Sequence, residues 1–242
     1  MRLQGDGWGI GFYANGSLEV IRSDRPVYEE RGRFMEIAES VKSNIIVAHI
    51  RRASNPRGLP REKLISIENS QPFYYRNFVF VHNGVIMIPD EIAELLGEWR
   101  LRVRGLNDSE VYFWYIVKEV HEGRSVREAL KNFEGDLYRV WFRVHDKCPS
   151  KARPYMGLNM IFSDGEKLYA FCKYDEEVDG AIRSLCYGDQ PGMRMMYIAG
   201  SDKFIVSSEM TNLEDDWRPF ENGQLIIAQA KNGKISLTKM EI

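Results

Sequence analysis

Alternating apolar and polar positions, interrupted by two-residue turn signals, dominate this chain and predict antiparallel hairpins. GWGIGFYANGSLEVIR places Asn15-Gly16 between two alternating runs, the composition of a tight primed turn. IIAQAKNGKISLTKM repeats the pattern around Asn232-Gly233, and LNMIFSDGEKLYAFCKY does so around Asp164-Gly165. MMYIAGSDKFIVSSE predicts a further hairpin at Ser201-Asp202. Two more apolar strands, NIIVAHIRR and NFVFVHNGVI, fall in the first third of the chain. Between the strands the period changes to helical. RFMEIAESVK (33–42) puts Phe34, Ile37, Ala38 and Val41 on one stripe, and PDEIAELLGEW opens with Pro89 and acidic residues. DSEVYFWYIVKEVHEG and SVREALKNFEGDLYRVWFR predict longer helices, the second with Ser125 and Glu128 spaced as a capping box. Many hairpins with the helices grouped mid-chain predict one α+β domain over 1–242, its sheets stacked and covered by helices.

Composition narrows the class. The 242 residues are 44% hydrophobic and 28% charged, enough for a core with an ordinary polar surface. A net charge of −2 points to neither nucleic acid nor an anionic membrane as partner. Cys148, Cys172 and Cys186 are odd in number and far apart, which suits neither a disulfide framework nor a zinc site. His49, His82, His121 and His145 are scattered without ligand spacing, so no metal or cofactor is expected. No apolar run has membrane-spanning length and the start MRLQGDGWGI lacks a signal-peptide core, so the expected location is the cytoplasm.

Four stretches carry polar residues where strand and helix patterns should be apolar. QGDGWGIGFY alternates glycines beside Asp6, and without a preceding strand it reads as a face where another backbone packs closely. AHIRRASNP sets His49, Arg51, Arg52, Ser54 and Asn55 at the end of a strand, where an arginine fork suits a carboxylate. In FVFVHNGVI a buried strand runs into His82-Asn83-Gly84, which reads either as a turn or as a pair of N–H donors for an oxyanion. In LNDSEVYFWYIV, Asp108 precedes an apolar helix and is expected to cap it, with a ligand ammonium as a compatible second role.

Taken in order, DGWGIGFY, HIRRAS, NSQPF, FVHNG and NDSE resemble the class II glutamine amidotransferase domain, a family of the N-terminal-nucleophile hydrolase type. LNMIFSDGEKLYAF and FIVSSE…DWRPFENGQLIIA are similar to its stand-alone members, so the resemblance covers nearly the whole chain. It implies a four-layer αββα sandwich of mostly antiparallel strands. By matched position, Arg51 would grip the α-carboxylate of glutamine, Ser54 would support that end, and Asp108 would receive the α-ammonium. Asn83 and Gly84 would form the oxyanion hole, while His82 and the Asn69–Phe73 segment would shape the pocket wall. The implied reaction releases ammonia from glutamine or a related γ-glutamyl amide through a γ-glutamyl thioester, with a separate synthetase as an implied partner. The residue types agree with that chemistry independently: a zwitterion with a terminal amide needs a cation, an anion and N–H donors beyond them.

The resemblance also implies an N-terminal cysteine nucleophile, whereas this sequence begins Met1-Arg2-Leu3 and has no cysteine near that end. Two expectations follow. In the first, the nucleophile lies on an N-terminal strand ahead of this sequence. In the second, the pocket persists as a glutamine- or γ-glutamyl-binding module or a synthetase subunit without catalysis.

Overall fold

A computed structural model describes residues 4–147, 152–184, 186–188 and 190–242; Cys148 lies outside them. The chain first forms β1 (Trp8–Ala14) and β2 (Ser17–Ser23), then α1 (Arg31–Ser40) and β3 (Ile46–Ile50). Next come β4 (Phe73–Tyr75), β5 (Phe78–Ile86), α2 (Pro89–Ala93), α3 (Asp108–His121) and α4 (Val126–Val144). The second half adds β6 (Tyr155–Ser163), β7 (Lys167–Cys172), α5 (Glu176–Asp179), β8 (Met196–Ala199) and β9 (Phe204–Ser207). The chain ends with β10 (Arg218–Pro219), β11 (Gln224–Lys231) and β12 (Lys234–Glu241).

These strands form a six-stranded antiparallel sheet, β12-β11-β7-β6-β5-β4, and two three-stranded sheets, β2-β1-β3 and β10-β8-β9. All four expected hairpins are present, and Asn15-Gly16 and Asn232-Gly233 adopt the positive φ that a primed turn requires. One face of the large sheet carries Phe80, Phe162 and Leu225 into the main core with α3 and α4. Its other face meets the two small sheets through Val79 and Val81 on one side and Ala170 and Ile226 on the other. The outer face of β1 packs Trp8, Ile10 and Phe12 under Phe34, Ile37 and Val41 of the α1 region. The order of layers is therefore helix, sheet, sheet, helix, the αββα arrangement that the resemblance implies.

Local sequence explains the helices. Ser125 accepts from the Glu128 N–H while Glu128 reaches back to the Ser125 N–H, so the capping box is complete. α3 is buried nearly all round because α4, the sheet and the segment 94–102 enclose it. α1 has no buried residue, and Ala38 of its expected stripe faces solvent.

The alternating glycines near the N-terminus do mark close approach. A Cβ on Gly9 would overlap the Gln71 carbonyl oxygen, and one on Gly11 would come within 2.8 Å of Val79 Cγ2.

The layer opposite the large sheet is divided. β3 pairs only with β1 and β9 only with β8 among the described residues. Arg51 N–H donates to the Gly7 carbonyl at 2.8 Å, so in the alternating antiparallel ladder Ile46, Ala48 and Ile50 turn their main-chain groups away from β1. Gly200 N–H donates to the Lys203 carbonyl at 2.8 Å, which likewise turns Phe204 and Val206 away from β8. The inter-sheet core splits accordingly into two clusters, with half-buried Ile161 touching both.

The tightest aromatic contact of the main core is Phe133 of α4 stacked on Tyr112 of α3, centroids 4.1 Å apart and nearly parallel. Both are fully buried. Phe133→Ala is expected to cost about 3–5 kcal/mol, read as a lowered midpoint in urea unfolding. A loss below about 1 kcal/mol would mean that this contact does not hold α4 against α3.

Candidate functional site

β5 carries the centre of the site, and it does not stop at His82-Asn83-Gly84 as the sequence suggests. It runs on to Ile86, with a register shift between Gly84 and Val85 opposite β6. Gly157 is the extra residue of β6 at that step and has φ +69°. A Cβ on Gly84 would overlap the Gly157 carbonyl oxygen and lie 2.6 Å from His82 Nε2. Two glycines facing each other thus let the strands close around the bulge.

The period of two along β5 separates the expected site residues. Phe80 and His82 point to the helix face, whereas Val79, Val81 and Asn83 point between the sheets. His82 is buried, and its ring packs edge-on against Tyr112 at 5.3 Å. Nε2 sits 3.2 Å from the Gly157 carbonyl, which only accepts, so Nε2 bears the hydrogen and Nδ1 accepts from Ser109 Oγ at 2.9 Å. Burial lowers the His82 pKa against the opposing pull of Asp108. Gln71 brackets the same residue, accepting from the His82 N–H at 2.6 Å and donating to its carbonyl at 3.2 Å. In this geometry the His82 side chain braces the strand from behind, and its main chain lines the inter-sheet space.

Asp108 occupies the first turn of α3, fully buried. The cap it was expected to provide belongs to Asn107, whose side chain accepts from the Ser109 N–H. Asp108 is thereby free to reach outward. Oδ2 accepts from the Ile86 N–H at 2.7 Å, and Oδ1 accepts from Ser54 Oγ. The start of α3, the end of β5 and the loop after β3 meet at this carboxylate.

Arg51 is also buried, just beyond β3. Its Nη1 donates to the Asp6 and Leu64 carbonyls at 3.1 and 2.9 Å, while Nε and Nη2 bond to none of the described residues. Burial lowers its pKa, opposed by Asp6 and Asp108, so the cation lies within electrostatic range of both carboxylates. Asp6, to which the sequence pattern assigns no role, organises this loop. It accepts from the Ala53 N–H at 2.8 Å, pairs with Arg61, and its main chain flanks Arg51. The neighbouring Asn69 accepts from the Leu106 N–H at 2.6 Å and ties the NSQPF segment to the loop before α3.

A cavity of about 130 Å³ lies between the sheets, lined by His49, His82, Asn83, Asn159, Ile161, Val206 and their neighbours. The Asn83 carboxamide bonds to none of the described residues, while Asn159 is held by the Met193 carbonyl and the Lys173 N–H. His49, half-buried on β3, has an Nδ1 shut off from solvent with no partner among the described residues. A larger recess of about 270 Å³ at the β11–β12 end contains none of the expected site residues. Neither described cysteine lines the cavity. Burial pushes the Cys172 thiol up to about 12, and Cys186 is exposed on a loop near Glu209. No group of metal-ligating side chains occurs among the described residues, and no helix there is long and apolar enough to cross a membrane.

The pattern that defines the glutamine amidotransferases class-II matches residues 2–241. The chain belongs to that family. An uncharacterized protein of Methanocaldococcus jannaschii is 29% identical over 249 residues, covering 95% of this chain and 62% of that protein. The γ-glutamyl-hercynylcysteine sulfoxide hydrolase of Mycobacterium tuberculosis is 30% identical over 84 residues, 35% of this chain and 33% of that enzyme. The chain thus spans less than two thirds of these relatives. The solved structure of a glutamine aminotransferase class-II domain protein from Silicibacter pomeroyi has a TM-score of 0.66 at 20% identity, covering 98% of this chain and 96% of that one. That likeness places this amidotransferase chain in the same fold.

Two imidazoles inside the sandwich make stability depend on pH. Burial, with Arg51 and His82 adding to it, brings His49 down to about 3, and burial lowers His82 as well. The unfolded chain takes up these protons near pH ~6.5 while the fold excludes them, so stability is full above that pH and falls as the pH is lowered towards the folded values. Each histidine contributes a slope of up to about 1.4 kcal/mol per pH unit. Urea midpoints are expected to drop between about pH 7.5 and about pH 5, with a shallower drop in His82→Gln. Equal slopes in the two proteins would show that His82 is not held neutral.

Proposed function

We propose that this site binds the γ-glutamyl moiety of glutamine or a related γ-glutamyl amide and serves its hydrolysis. The free Nε and Nη2 of Arg51 take the α-carboxylate, and Asp108, steadied by Ser54, takes the α-ammonium through its remaining lone pairs. The Asn83 side-chain amide and the Gly84 N–H stabilise the oxyanion formed at the γ-carbonyl. His82 holds the strand that presents them. The observation that carries this reading is the Asp108 carboxylate, which joins the loop of Ser54, the strand of Asn83 and Gly84, and the start of α3.

In this reading the nucleophile is an N-terminal cysteine thiolate on a strand that enters between β3 and β9. Its own α-amine accepts the thiol proton and passes it to the departing nitrogen as the C–N bond breaks. Water then cleaves the γ-glutamyl thioester, releasing glutamate and restoring the thiol. Support comes from the two uncharged, unpaired edges that flank the cavity beside Asn83, since a strand between them would satisfy both sets of main-chain groups. Cys172, with its high pKa, and Cys186, away from the pocket, do not fit the role. The ammonia acceptor in this reading is a separate synthetase or water, and the protein works in the cytoplasm.

Calorimetric titration of this chain with glutamine tests the pocket. Arg51→Ala is expected to weaken binding about tenfold to a hundredfold, the worth of a charge-assisted contact. Asn83→Ala is expected to bind with little loss and, in protein carrying the nucleophile, to lower kcat by about 10²–10³. Unchanged affinity in Arg51→Ala would remove that residue from the site. Terminal-peptide mass spectrometry of the native protein decides the nucleophile: a mature cysteine start supports hydrolysis, and a start at Met1 leaves ligand binding alone.

A further inference from the structure

His49 lines the cavity with a polar side chain that the proposed reaction leaves unused. It projects from β3 on the same face as Val47 and Arg51, towards β5. Nδ1 has no partner among the described residues although it is closed to solvent, an arrangement that costs free energy unless something else bonds there. Nδ1 meets no acceptor that a hydrogen there could use, so the neutral ring places its hydrogen on Nε2 and leaves Nδ1 as a bare lone pair. The ring is held neutral, pulled down to about 3 by burial and then by the Arg51 cation and His82. Asn159 is satisfied within the protein, Ser207 Oγ accepts from the Glu209 N–H, and in the proposed reaction Asn83 turns its N–H groups to the oxyanion.

We propose that His49 is a specificity-determining residue of this pocket, its Nδ1 accepting a hydrogen bond from the N–H of the substrate γ-amide and so selecting amide over free acid. The inference rests on the γ-glutamyl reading above and names what distinguishes substrate from product. A γ-carboxamide presents a carbonyl oxygen to Asn83 and Gly84 and an N–H to His49. A γ-carboxylate presents oxygen on both sides, and its second oxygen meets a lone pair that cannot become a donor without a proton the site excludes. Glutamine is retained and glutamate is expelled.

The test is a pair of calorimetric titrations, glutamine and glutamate, on this chain and on its His49→Phe variant, both checked for folding by circular dichroism. The unmutated chain is expected to prefer glutamine, and His49→Phe to lose about tenfold of that preference. Nitrogen-15 NMR of this chain labelled at histidine supplies a measurement without mutation. The unprotonated His49 Nδ1 resonance is expected to move upfield with glutamine and to stay in place with glutamate. A preference unchanged in His49→Phe, or an Nδ1 resonance already in its bonded position before ligand is added, overturns the role of His49 while the pocket reading stands. Failure of the unmutated chain to bind either amino acid overturns the pocket reading and this inference with it.

Discussion

A fully buried carboxylate has to be met by donors, and that requirement at Asp108 organises the site. Its position in the first turn of α3 offers the favourable end of the helix dipole, and the Ile86 N–H and the Ser54 hydroxyl supply the remaining contacts. None of these partners is near Asp108 in sequence. Meeting the carboxylate therefore fixes where β5 ends, how the loop after β3 folds back, and how α3 docks on the sheet. Asn107 is what makes this possible: by taking the cap itself it frees its neighbour to reach across the fold.

The bulge at Gly84 and Gly157 answers a second geometric demand. A Cβ at Gly84 would leave no room for the Gly157 carbonyl, which is the acceptor of the His82 ring on that side. With the extra residue, β5 keeps hydrogen bonding on both sides of the step while Asn83 faces the space between the sheets. His82 and Asn83, adjacent in sequence, then do different work on opposite faces. The ring stiffens the strand from the helix side, and the carboxamide remains unengaged on the other. A strand is well suited to this division because its side chains alternate without any need for a loop.

Hairpins and helices were legible in the sequence because their signals are local: Asn-Gly pairs, a capping box and a 3.6-residue stripe depend on neighbours within a few positions. Arg51, Ser54, Asn83 and Asp108 were legible as polar interruptions, and the ordered motifs led to the right family. What the sequence did not disclose depends on partners far along the chain. The strand looked as though it ended at Gly84 because glycine usually breaks a strand, and the bulge residue that reconciles it, Gly157, comes from β6. Asp108 looked like a cap because the choice between Asn107 and Asp108 is made by an N–H at Ile86. Asp6 was hidden among glycines, whose spacing drew attention to backbone packing rather than to the carboxylate that holds the arginine loop.

Division of the layer opposite the large sheet explains why polar chemistry is tolerated in a sandwich interior. Two sheets packed face to face normally exclude such groups, since each unpaired donor or acceptor in the core carries a desolvation cost. Here β3 and β9 do not pair, and the apolar filling stops on either side of Ile161. The cavity opens at that discontinuity, so Asn83 gains room without displacing a packed side chain and His49 reaches the same space from the facing strand. Uncharged edges with neither lysine nor proline to blunt them are templates for pairing with another strand. The same discontinuity that opens the cavity therefore leaves two edges able to accept another strand.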